Sequence, residues 1–199
     1  MDIELWRPTK AQLLAARGKR VPDLVAPGLK ILFVGINPGL YSAAIGHHFG
    51  RPGNRFWPAL FASGLTPRLF SPFEEAELLK LGIGIVNIVD RATVGSAELL
   101  PAEFQAGAKR LRRKLLRFRP KFAAMLGIEP FKIAYGRPKP RLGPQDVVVG
   151  RTRLWLLPNP SGLNAHFQVP DLARLFRALG RAASSSPRRK PGPRKSGSP

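Results

Sequence analysis

At 199 residues, 44% of them hydrophobic, the chain is long enough for one sizeable core with terminal extensions and too short for two full domains. Without cysteine it has no disulfide, no thiolate metal site and no cysteine nucleophile. The 33 Lys and Arg against 12 Asp and Glu give +21, and removing the six basic residues of 181–199 still leaves 27 against 12. The body of the chain is therefore basic in its own right and suited to a polyanion such as nucleic acid.

Residues 1–26 read as an N-terminal arm with one short helix, packed through Trp6, Leu13, Leu14, Val21 and Leu24. They lack an apolar stretch of signal-peptide length, and no apolar run in the chain approaches the roughly 18–20 residues of a membrane span. A cytoplasmic protein is expected, nucleoid-associated if bacterial, with no membrane partner. The domain proper is expected over 27–183. From 184 to 199 only Ser, Pro, Gly, Arg and Lys occur, the composition of a disordered basic tail.

Within the domain, 30–34 is a buried-strand run. Asn54 is placed to cap a helix whose apolar face is Phe56, Trp57, Leu60 and Phe61, closed by Gly64. Ser71-Pro72-Phe73-Glu74 has the form of a capping box with proline at the first helical position, and predicts a helix running to Gly82. A second buried strand follows over 83–89. Pro101 opens a long helix to about Phe118, with Phe104, Ala108, Leu111, Leu115 and Phe118 in one stripe. A third strand covers 122–126 and a short helix 129–135. Residues 147–149 and 153–157 form an extended pair around Gly150. A closing helix over 171–179 presents Leu172, Leu175, Phe176 and Leu179 on one face. Four buried runs separated by helices predict a three-layer α/β fold around a central, mainly parallel four-stranded sheet.

Two loops stand out. Gly35-Ile36-Asn37-Pro38-Gly39 follows the first strand and Asn159-Pro160-Ser161-Gly162-Leu163-Asn164 follows the last; Asp90-Arg91 follows the second. In a parallel sheet these share the carboxyl edge, where open α/β folds place ligands. The first loop is neither a dinucleotide fingerprint nor a phosphate loop, lacking both the G-x-G-x-x-G spacing and a Gly-Lys-Ser/Thr ending. His47, His48 and His166 do not make a metal set, and no metal or cofactor is expected. The eight basic residues of 109–121 (Lys109, Arg110, Arg112, Arg113, Lys114, Arg117, Arg119 and Lys121) are either a solvated face or a salt-sensitive DNA contact. Trp57, Trp155 and Trp6 read as packing residues.

Four segments taken together resemble the mismatch-specific uracil-DNA glycosylases, relatives of thymine-DNA glycosylase in the uracil-DNA glycosylase superfamily. They are Gly35-Ile36-Asn37-Pro38-Gly39-Leu40, Asn54-Arg55-Phe56-Trp57, Val89-Asp90-Arg91-Ala92-Thr93 and Leu157-Pro158-Asn159-Pro160-Ser161-Gly162-Leu163. The resemblance covers about 27–180. It implies a monofunctional DNA repair enzyme, working as a monomer and without cofactor. Its reaction would be hydrolysis of the N-glycosidic bond of a uracil flipped out of G-mismatched double-stranded DNA, with other damaged or mismatched pyrimidines as further candidates.

By the same resemblance, Asn37 positions the attacking water; its amide oxygen accepts a hydrogen bond but takes no proton at neutral pH. Asp90 is a candidate base or electrostatic stabiliser of the sugar, or else a structural partner of Arg91 or of the Thr93 backbone. Phe49 stacks on the flipped base, a contact worth roughly 1–3 kcal/mol. Ile36 and Phe49 offer backbone amides to the uracil carbonyls. Ser42 lies near the pyrimidine C5 edge, and Asn159 contacts the flipped nucleotide or its phosphate. Leu163 is the wedge that enters the vacated stack, with Gly162 and Asn164 offering backbone groups to the widowed guanine. The family often follows the wedge with a basic or polar residue; Ala165-His166 stand there. The alternative reading is a non-catalytic nucleic-acid-binding module on the same scaffold, which needs Leu163 and the basic face but no water-positioning group.

Overall fold

The computed structural model describes residues 7–185, so Trp6 and the basic tail from 186 onward lie outside the described residues. The elements in order are α1 (Lys10–Ala15), β1 (Ile31–Gly35), α2 (Leu40–Ile45), α3 (Phe56–Ala62), α4 (Glu77–Lys80), β2 (Ile83–Asn87), α5 (Pro101–Phe118), β3 (Phe122–Leu126), α6 (Ile128–Tyr135), β4 (Gly143–Val149), β5 (Thr152–Leu157) and α7 (Val169–Ser184). They build a mixed α/β fold of three layers.

The sheet has five strands rather than four, in the order β2-β1-β3-β5-β4. The first four are parallel, and β4 runs antiparallel to β5 across the turn at Gly150. Residues 147–149 are thus the end of a full edge strand. Its alternating burial, and its proline at 144, suit an edge and masked it from a search for buried runs. Strands β1, β2 and β3 are buried at every residue.

Because strand side chains alternate, the sheet feeds two cores. Ile31, Phe33, Phe122 and Ala124 face α3 and α7, where Phe56 and Phe176 each set a ring centroid 5.2 Å from that of Phe33. Leu32, Val34, Ala123 and Met125 face α5 and α6, against Phe104, Leu111, Leu115 and Phe131. Each large apolar side chain so buried stabilises the fold by roughly 1.5–3 kcal/mol.

Several local expectations change. The run from Ser71 is broken: its box is present, with the Glu74 carboxylate accepting the Ser71 N–H, but a 3-10 turn at Pro72–Glu74 and the short α4 replace one helix. Helix α2 was not anticipated. The closing helix extends beyond 171–179 at both ends, through Ser184. In the arm, Leu14 is exposed, whereas Ala16 and Val21 pack against Ala43 and Ala92. Leu24 exchanges two backbone hydrogen bonds with Ile85, covering the outer edge of β2, where bare strand edges invite pairing with other chains. No helix among the described residues is long and apolar enough to cross a membrane.

Candidate active site

Parallel pairing brings the loops after β1, β2 and β5 to one edge, and they enclose a cavity of about 170 Å³. That is smaller than the roughly 300–1,000 Å³ of sites for drug-sized ligands. Ile36, Asn37, Ser42, Phe49, Asn159 and Leu163 all line it. Gly162 and Asn164 belong to the same loop as Leu163 but do not line the cavity.

Asn37 is held from behind. Its Nδ2 donates to Thr93 Oγ1 (2.7 Å), Arg91 O (3.1 Å) and Pro38 O (3.2 Å). Backbone carbonyls only accept, and Thr93 Oγ1 spends its own proton on Gly95 O at 2.9 Å. The amide nitrogen must therefore face this cluster, and Oδ1 is the acceptor left over. Arg91 is in turn fixed by Glu103, through Nε–Oε1 at 2.6 Å and Nη2–Oε2 at 2.8 Å. The guanidinium, together with the Leu100 N–H, holds the Glu103 carboxyl down to about 2, so this bridge persists far into acid.

Asp90 is not brought into the cavity. Its carboxylate faces Arg110 on α5, 3.6 Å from Nε, and neither Arg91 nor the Thr93 backbone is its partner. Of the two roles left open for Asp90, the observed geometry shows an ion pair with Arg110 outside the cavity lining, while its neighbours Arg91 and Thr93 hold Asn37 through a carbonyl and a hydroxyl.

Phe49 has φ +52°, a left-handed conformation that costs a non-glycine residue about 1–2 kcal/mol. Bonds on both sides hold it there. The His48 N–H donates to Glu75 Oε2 (2.9 Å) and the Gly50 N–H to Ser42 Oγ (3.0 Å). One face of the Phe49 ring stacks on Phe56, with centroids 4.1 Å apart and planes at 24°. Among the described residues, no acceptor takes the backbone N–H of Ile36 or Phe49.

The sequence reading missed Asn87 and His48. Asn87 ends β2 and lines the cavity; a Cβ on Gly35 would lie 2.5 Å from its Oδ1, so only glycine leaves it room. His48 is 2% exposed, and its Nε2 lies 2.9 Å from Pro22 O, which assigns the proton to that nitrogen. Burial holds the His48 pKa below its ordinary 6.5, against the opposing pull of Glu75 and the Pro22 carbonyl. The neutral ring presents its Nδ1 lone pair to Asn87 Nδ2 at 3.5 Å, turning Asn87 Oδ1 away from the histidine. The available signal was a lone asparagine within the apolar run 83–89. Its histidine partner, 39 residues away, was not legible.

Asn159 directs Oδ1 to the Ser161 N–H (3.1 Å) and accepts Asn164 Nδ2 on its carbonyl (2.9 Å), and among the described residues no acceptor takes its own Nδ2. Leu163 is 78% exposed. Among the described residues lining the cavity there is no carboxylate, and Arg51 stands as a cation. Such a lining repels neither a phosphate nor a departing anion. On α5, Arg110 faces Asp90 and Lys114 faces Asp23, while Lys109, Arg112, Arg113 and Arg117 are exposed on the outer side.

The family model of the Uracil DNA glycosylase superfamily matches residues 22–180. The chain belongs to that superfamily. Its members are DNA glycosylases, hydrolases of base excision repair that act on uracil in DNA, and the observed sheet and flanking helices agree with their fold. The matched span opens at Pro22, the residue whose carbonyl receives the His48 proton, so the end of the arm packs into the site.

Proposed function

We propose that the protein hydrolyses the N-glycosidic bond of uracil opposite guanine in duplex DNA, with the uracil everted into the cavity at the carboxyl edge. The observation that carries this reading is the locked amide of Asn37, with its donors consumed by fixed acceptors and Oδ1 left to hold a water. The water oxygen adds to C1′ as the N1–C1′ bond breaks. The bonding pair departs on uracil N1, the water proton passes to solvent, and an abasic site remains. No lysine lines the cavity among the described residues, which agrees with water rather than an amine as the nucleophile.

Uracil suits the remaining groups. Its carbonyls meet the Ile36 and Phe49 N–H groups, and its N3–H meets Asn87 Oδ1. Cytosine would set a lone pair at N3 against that oxygen, and an unpaired buried acceptor costs roughly 1–3 kcal/mol. The free ring face of Phe49 stacks on the base, Ser42 holds the turn beneath it, and Asn159 Nδ2 donates to the flipped nucleotide. Asp90 is assigned no proton transfer. Because positioning replaces a general base, which elsewhere contributes roughly 10²–10⁴-fold, turnover is slow. Leu163 fills the vacated place in the stack.

A labelled duplex with one U·G pair, incubated with the protein and then treated with alkali, is expected to break at that site. Intact strands after overnight incubation with excess protein would leave only a binding module. A panel of U·G, U·A, T·G and single-stranded substrates then sets the range.

A further inference from the structure

The loop leaves the Leu163 side chain exposed; Phe167 anchors its far end against the α3/α7 core, and between the two its carbonyls are gathered by one side chain on another element. Arg55, the residue before α3, reaches across. Its Nη1 donates to the carbonyls of Ser161 (3.2 Å), Asn164 (2.6 Å) and Phe167 (3.1 Å), and its Nη2 to that of Gly162 (3.2 Å). Its backbone N–H donates to Pro160 O at 2.9 Å. Among the described residues no carboxylate pairs with it; the cation is solvated by the loop's own carbonyls. On the same side, Gly162 presses so close to Gly53 that a Cβ would stand 2.5 Å from the Gly53 carbonyl. The loop's remaining bonds, such as Leu163 N–H to Ser161 Oγ at 3.3 Å, are short-range and do not tie it to the rest of the fold.

From this arrangement we infer that Arg55 is a positioning residue for base eversion: it draws the carbonyls of residues 161–167 inward and so holds the Leu163 side chain outward before DNA arrives. The inference rests on the glycosylase reading above. A loop ordered in the free protein does not have to be ordered during eversion, so the gain falls on the flipping step. Lysine cannot substitute. Its ammonium is a point charge with three donors, whereas the planar guanidinium reaches four carbonyls at once.

The test is a double-mutant cycle on single-turnover uracil release from a U·G duplex, with Arg55→Ala, Leu163→Ala and the pair, accompanied by Arg55→Lys. Arg55→Ala is expected to slow release roughly tenfold or more, and Arg55→Lys to restore little of it, as for a lost positioning group. In the Leu163→Ala background the same change is expected to cost no more than about threefold, because residues acting through one another are not additive. Amide hydrogen exchange over residues 159–167 of the DNA-free protein is expected to speed up in both Arg55 variants while β1 and β3 stay protected. Fully additive losses, or unchanged exchange in that loop, would overturn the inference. If Arg55→Ala does not fold, Arg55→Lys carries both measurements, and full activity in it also refutes the clamp. A wild-type protein that releases no uracil would instead refute the underlying glycosylase reading, and the exchange measurement still judges the clamp.

Discussion

The loops after β1 and β5 are built from the same residue types, Gly, Asn and Pro, yet are wired in opposite senses. In the first, a side-chain amide donates into fixed carbonyls and leaves one acceptor, Asn37 Oδ1, beside the cavity. In the second, a guanidinium gathers the loop's carbonyls and leaves an apolar side chain, Leu163, in solvent. Under the proposed function the first loop serves the attacking water and the second the duplex. Composition alone does not separate these tasks. What separates them is where the complementary group sits: Thr93 and Arg91 on the neighbouring strand's loop for the first, Arg55 on a helix start for the second.

The contrast predicts separable losses. Asn37→Ala should give the largest, roughly 10²–10³-fold in single-turnover release, the scale of removing one preorganised hydrogen-bonding group, with duplex binding nearly unchanged. Equal losses of binding and release would make Asn37 a structural residue and erase the contrast. Asn87→Ala should slow uracil release by about 5–100-fold, the range of one unsatisfied buried contact, and should narrow the preference for uracil over cytosine. A variant that keeps that preference intact would remove Asn87 from base reading. Leu163→Ala should cost about tenfold on a U·G duplex through lost unstacking, and less where the uracil is already unpaired. A loss independent of pairing would deny the second loop its distinct task.

A pH series sharpens the first loop further. Well above the ordinary 6.5 His48 is neutral in both the folded and the unfolded chain. As pH falls below that value the unfolded chain takes the proton first, so stability falls, and protonation of the folded ring removes the acceptor that orients Asn87. Melting temperature and uracil preference should therefore decline together in acid. A His48→Gln variant with an unchanged acid limb would assign that limb elsewhere. The smallest effect is expected for Asp90→Asn, which loosens a contact to Arg110 and should leave release within about threefold, as for a partly exposed ion pair. A loss on the scale of Asn37→Ala would return the carboxylate to the chemistry.

Part of this architecture was legible because it depends on local periodicity. The strand over 122–126 and the helix from Pro101 to Phe118 agree residue for residue with the structure, since a continuous apolar run and a stripe opened by proline admit few other forms. The edge strand β4 was half read, because alternating burial at a sheet margin gives a weak signal in a chain whose other strands are solidly apolar. Helix α2, six residues beginning at Leu40, is too short to show a period.

The chain's own residues determined its charge, its alternation of strand and helix, and the two glycine-and-asparagine loops, because each follows from side chains near one another in sequence. Only the tertiary structure decided that Asp90 turns to α5, that Asn87 joins the cavity beside a buried neutral His48, and that Arg55 gathers the far loop. Those outcomes are set by which acceptors and donors the packed layers bring within 3 to 4 Å, and partners 39, 54 or 109 positions apart leave no mark in the spacing of the sequence.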